Sequence, residues 1–101
     1  MRDPQETWDL LAHQLNALES LAEQEDWDAL RTQVEIFYEE VRNLMRQPPD
    51  VALMQTWQPQ VPERLARLQA LIDKSRHAKK DTQAQLLKMQ RGQKLIRRYY
   101  Q

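Results

Sequence analysis

The chain has 101 residues, with 15 basic and 15 acidic side chains, five prolines, one glycine and no cysteine. That length suits one domain with its own core, and the absence of cysteine excludes disulfides and thiolate metal sites. A single glycine argues against sheet folds and phosphate-cradling loops, while abundant Leu, Gln, Ala, Glu and Arg point to an all-α protein.

Asp3-Pro4 opens the first helix, because Asp caps free amides and Pro is tolerated at the first helical position. Trp8, Leu11, Leu15, Leu18 and Ala22 follow at spacings of 3 and 4, a seam of the coiled-coil kind. The pattern lapses at Glu23-Gln24-Glu25. Asp26 is the expected N-cap of a second helix, with Asp28 in its first turn, where negative charge suits the helix dipole. Its seam is Trp27, Leu30, Val34, Phe37, Val41 and Leu44. So short a connection makes the two helices antiparallel neighbours. Pro48-Pro49 stops the second helix.

Asp50 is a candidate cap for one or two turns carrying Val51, Met54 and Trp57, and Pro59 and Pro62 forbid a clean continuous helix there. Trp57 is open to two readings, a cap on the end of the bundle or a contact with a partner. A long helix is expected from Pro62, with Val61, Leu65, Leu68 and Ile72 in register. The same frame lands on polar Ser75, Lys79 and Thr82, then regains Leu86 and Met89. At 1.5 Å per residue the first two helices measure about 30 Å and a third helix over 62–91 about 43 Å. The third should therefore overhang the hairpin. The expected architecture is one domain over 1–101: an antiparallel three-helix bundle, with helices near 4–23, 26–46 and 62–91 and a short amphipathic tail over 92–101.

Net charge zero hides a split. Residues 1–60 hold four basic and twelve acidic residues, a net of −8, and residues 61–101 hold eleven basic and three acidic ones, a net of +8. Such asymmetry marks either a nucleic-acid tail or two halves that face each other across a bundle. The apolar stripes in both halves favour the second reading.

Catalytic signals are sparse. His13 and His77 form no His-Glu-x-x-His pair, and the basic run around His77 repels cations. Ser20 and Ser75 lack nucleophile-elbow glycines. Glu35, Glu39 and Glu40 share a helix turn without a His ligand partner. The expectation is no enzyme, no metal and no cofactor. No run approaches the ~18 apolar residues of a membrane span. Met1 to Gln14 reads as neither signal nor transit peptide.

The tail from Lys88 to Gln101 interleaves basic residues with Leu95, Ile96, Tyr99 and Tyr100. That composition suits docking on a protein groove, packing within the chain, or gripping single-stranded nucleic acid. The apolar residues past the reach of the two shorter helices are Leu86, Leu87, Met89, Leu95, Ile96, Tyr99 and Tyr100. These seven form the candidate partner surface. The competing account pairs the same patch with a second copy in a homodimer.

Asp26-Trp27-Asp28-Ala29-Leu30 resembles the acidic-Trp-Asp-x-Leu opening of the second helix in the flagellar export chaperone FliT family. The likeness runs on through Val34, Phe37, Val41, Leu44 and Met45 to the Pro48-Pro49 break. The Leu-rich first helix with its early Trp is similar too, as are the long third helix and the basic stretch ending in Tyr. The resemblance implies a small cytoplasmic α-helical chaperone of type III export. Such a protein binds the filament-cap protein FliD through its C-terminal segment and holds it unassembled until export. It also implies contact with the export ATPase complex or a flagellar transcription regulator in some members, and in some a C-terminal helix that covers the client site. The rival classes are a coiled-coil adaptor of another assembly and a nucleic-acid-binding module using the basic half.

Overall fold

The computed structural model describes residues 3–46, 49–76 and 83–100. Within them the chain is all-helical: α1 Pro4–Glu23, α2 Trp27–Arg46, α3 Val51–Trp57, a 3-10 turn Gln58–Gln60, α4 Val61–Ser75 and α5 Gln83–Tyr99. His77, Lys79, Lys80 and Thr82 lie outside the described residues, as do Pro48 and Gln101.

The caps form where their chemistry requires. Asp3 Oδ1 accepts from the Glu6 amide at 2.8 Å, with Pro4 opening α1. Asp50 Oδ1 accepts from the Leu53 amide at 2.8 Å, and Asp26 Oδ1 from the Ala29 amide at 3.3 Å. Each satisfies an amide that the helix leaves free. The α1–α2 turn is tight because Asp26 does two jobs. Its own amide donates to Leu21 O at 3.0 Å, closing the end of α1, while its side chain caps α2. Between them Glu25 sits at φ 54°, the left-handed C-cap position that glycine usually takes. Pro59 and Pro62 do not end the helical path. They convert one turn to 3-10 geometry, so α3, the 3-10 turn and α4 follow one another without a break.

The seams read from sequence are the core. Trp8, Leu11, Leu15, Leu18 and Ala22 of α1 are buried against Leu30, Val34, Phe37, Val41 and Leu44 of α2 and Val61, Leu68 and Ile72 of α4, with Trp27 and Leu65 half-buried beside them.

The third helix is where sequence and structure part. The expected helix over 62–91 and tail over 92–101 are two helices, α4 and α5, and Gly92 lies inside α5 instead of ending it. Gln93 Nε2 donates to Gln69 Oε1 at 2.9 Å, and Tyr100 Oη donates to Met54 O at 3.3 Å. One straight helix would hold Gln69 and Gln93 about 36 Å apart. The chain therefore folds back, and α5 runs antiparallel to α4. The reason is apolar burial. A straight helix would leave Leu86, Met89 and Ile96 in water, whereas in the fold all three are in the core. Each such burial stabilises by about 1.5–3 kcal/mol, more than the ~1 kcal/mol cost of a helical glycine.

The result is two antiparallel hairpins laid side by side. Arg64 reaches Trp8 and Arg67 reaches Glu19, so α1 and α4 run parallel. Lys88 reaches Glu35, and Gly92 lies beside Phe37 and Tyr38, so α2 and α5 run parallel. Helix α2 thus packs between α1 and α5, and α4 between the same two.

Candidate functional site

The end of the bundle near the start of α1 is a sealed aromatic cluster. Trp57, left open by the sequence, stacks on Trp8 with ring centroids 4.6 Å apart, and both side chains are almost fully buried. The Arg64 guanidinium lies 3.9 Å from the centre of the Trp8 ring and donates to Trp8 O at 2.7 Å. Burial lowers the Arg64 pKa, but a guanidinium starts high enough to stay charged. Tyr100 packs into the same end, and burial raises its pKa. This cluster closes the fold and offers no free ring for a ligand.

The charge split is partly spent between the hairpins. Arg67 bonds Glu19 and Asn16 of α1, and the hydrogen bond to Glu19 raises its pKa. Lys88 Nζ sits 2.6 Å from Glu35 Oε1 of α2, and this bond holds the Glu35 carboxyl below its ordinary range. The expected meeting of an acidic hairpin with basic helices is thus present in these two bridges.

The seven residues expected to form a partner surface all lie on α5 or just past its end, but their stated basis, an overhang, is absent. Leu86 (7% exposed), Met89 (0%) and Ile96 (5%) face the core. Leu95 and Tyr100 are half-buried and packed against it. Tyr99 is half-buried, edge-on to Tyr100 with centroids 6.2 Å apart. Leu87 alone stands out, at 53% exposed. Leu86, Met89 and Ile96 fall with Gln93 and Tyr100 at spacings of 3 and 4, which is the inward stripe of an amphipathic helix. An adaptor that oligomerises through an overhanging helix loses its basis for the same reason.

On the opposite stripe of α5, Leu87 is expected in the partner surface and the cations only as part of a basic tail. Leu87, Arg91, Lys94 and Arg98 recur at i, i+4, i+7 and i+11, so they share the solvent side of the helix. Arg91, Lys94, Leu95 and Arg98 line a groove of ≈ 220 Å³ whose other wall is Tyr38 of α2. A second hollow, ≈ 330 Å³, lies between α1 and α4 among Glu19, Ala22, Glu23, Arg67, Ala70, Leu71 and Lys74. Tyr38 is the residue the sequence reading missed. It lies next to the α2 seam residue Phe37, and nothing in its own helix pairs it with α5.

The described residues contain no group of three or more His, Asp or Glu side chains placed to hold a metal ion. His13 is exposed on α1. Among the described residues no helix is long and apolar enough to cross a membrane. No protein-family model, curated protein or solved structure matches the chain.

Proposed function

We propose that this chain is a binding protein rather than an enzyme, a cytoplasmic export chaperone of the FliT kind that holds the unassembled filament-cap protein FliD. The motif at Asp26-Trp27-Asp28-Ala29-Leu30 and the proline break after α2 motivate the family. The observation that carries the reading is the way α5 is held. This helix closes an apolar channel between α2 and α4 with Leu86, Met89 and Ile96, but its inward stripe also contains Gln85, Gly92 and Gln93. Polar and small residues in a seam contribute less than aliphatic ones, so α5 is the least apolar contributor to the core among the four long helices. A holder of unassembled subunits needs apolar surface that is covered until the client arrives. An amphipathic client helix that displaces α5 would take over its stripe in the groove. On this reading the inward residues Leu86, Met89 and Ile96 guard the client site, and the client meets the groove they vacate.

The test is co-purification of the full chain with the FliD protein of the same organism, whole and lacking its C-terminal segment. Whole FliD should be retained as a defined complex, and the truncated form should pass through. Absence of a complex with whole FliD at low micromolar concentration would overturn the client assignment. A stable homodimer in size-exclusion chromatography would direct the search to the rival adaptor class.

A further inference from the structure

The groove between Tyr38 and the outer side of α5 uses none of the inward residues Leu86, Met89 and Ile96, and it exists only while α5 is in place. We propose that it docks an acidic protein segment that presents one apolar side chain between carboxylates. Arg91, Lys94 and Arg98 are exposed, and none has a carboxylate partner among the described residues. They contrast with Arg67 and Lys88, which each take a glutamate from the first hairpin. Across the groove α2 adds a further cation. Arg42 lies 5.7 Å from the centre of the Tyr38 ring, although it also bonds Glu39. Glu39 neutralises Arg42, so the three α5 cations are the ones left without a carboxylate along the groove among the described residues, and an acidic partner would supply it.

The shape selects the occupant. The groove's ≈ 220 Å³ takes its apolar lining from half-buried Tyr38 and Leu95. That is below the ~300–1,000 Å³ of a small-molecule pocket, and it suits one apolar side chain. The three α5 cations spread over about 10 Å of helix, matching carboxylates on two turns of a partner helix. Single-stranded nucleic acid needs open aromatic faces on which to stack. Here Tyr38 lies under Arg42, while Tyr99 and Tyr100 pack on each other. A membrane surface needs a broad apolar face, and that side of α5 is in the core. Leu87 is the only strongly exposed large apolar residue of the helix among the described residues.

The probe is a fluorescein-labelled, end-blocked peptide of about 14 residues, long enough for several helical turns, with glutamates flanking one leucine on a single face. Fluorescence anisotropy should show binding that weakens as salt rises. Replacing its glutamates with lysines should abolish binding. Replacing its leucine with serine should weaken binding at least about tenfold, the worth of one buried aliphatic chain. In the protein, the double substitution Arg91→Gln and Arg98→Gln should lower affinity by about tenfold while leaving the melting temperature unchanged, because both side chains are exposed. Lys74→Gln, on the exposed surface of α4, should leave affinity as it was. The proposal is overturned if the acidic peptide does not bind or if the double variant binds it equally well. It is also overturned if Lys74→Gln weakens binding as much, or if an oligothymidine or phosphatidylserine vesicle binds more tightly through Arg91 and Arg98.

Discussion

Trp8 and Trp57 stack with their ring planes 7° from parallel, and each indole N–H is taken by a glutamine beside the other ring. Trp8 Nε1 donates to Gln60 Oε1 and Trp57 Nε1 donates to Gln5 Oε1, both at 2.8 Å. The exchange ties the start of α1 to the junction of α3 and α4 through two buried rings and two satisfied polar groups. Trp57→Ala is expected to cost about 3–5 kcal/mol in urea unfolding, the range for removing a buried aromatic. Trp57→Phe keeps most of the packing and loses one hydrogen bond, a cost of about 1 kcal/mol from that bond. It should also abolish the exciton couplet of the paired indoles in circular dichroism.

The two sides of α5 should answer to charge in opposite ways. Met89→Asp places a carboxylate at a site with no solvent exposure and is expected to cost about 4 kcal/mol or more. Leu87→Asp, two residues earlier on the exposed side, should stay within about 0.5 kcal/mol of wild type. Similar costs for the two in chemical denaturation would mean that α5 does not pack as described.

Glu25 is the only residue other than glycine with positive φ among those described. An L side chain pays about 1–2 kcal/mol in that region, whereas glycine pays mainly in unfolded-state entropy. Glu25→Gly should therefore raise stability by about 0.5–1 kcal/mol, read as a higher denaturation midpoint at unchanged slope.

Gly92 poses the reverse case. It sits in mid-helix without positive φ, and a Cβ there would meet Phe37 Cε1 and Tyr38 Cδ2 at 3.8 Å, ordinary contact distance. Gly92→Ala should stabilise by about 0.5–1 kcal/mol through helix propensity. Gly92→Leu overfills the same space and should destabilise by about 1–3 kcal/mol. If α5 must leave for a client to bind, Gly92→Ala should also weaken client binding, because it strengthens the closed state.

The Glu35–Lys88 bridge sets a small acid-side pH dependence. The Glu35 pKa is lowered in the fold, chiefly by its hydrogen bond to Lys88. A folded-state pKa below the unfolded one gives stability that is present above the unfolded value, here 4.5, and lost as pH falls through the folded value. Glu35→Gln should flatten the stability profile below 4.5, and Lys88→Met should do the same. The carboxylate is fully exposed, so the effect should shrink as salt is added.

Sequence alone determined the local features of this protein, because their causes lie within a few residues. Asp3, Asp26 and Asp50 cap their helices through bonds that span three residues. The seams from Trp8 to Ala22 and from Leu30 to Leu44 are buried as their spacing requires, since helical periodicity decides which side is apolar. The prolines at 59 and 62 mark the 3-10 turn. What only the tertiary structure decided is how far α4 runs, what covers α5 and what Trp57 touches. Leu86, Met89 and Ile96 form an apolar stripe on a straight helix and on a folded-back one alike. Local spacing therefore could not choose between them. The choice belongs to the free energy of burying that stripe against α2 and α4, residues remote in sequence. The same holds for Tyr38, which lines a groove with Arg91, Lys94 and Arg98 only because α2 and α5, more than 50 residues apart, come to lie parallel.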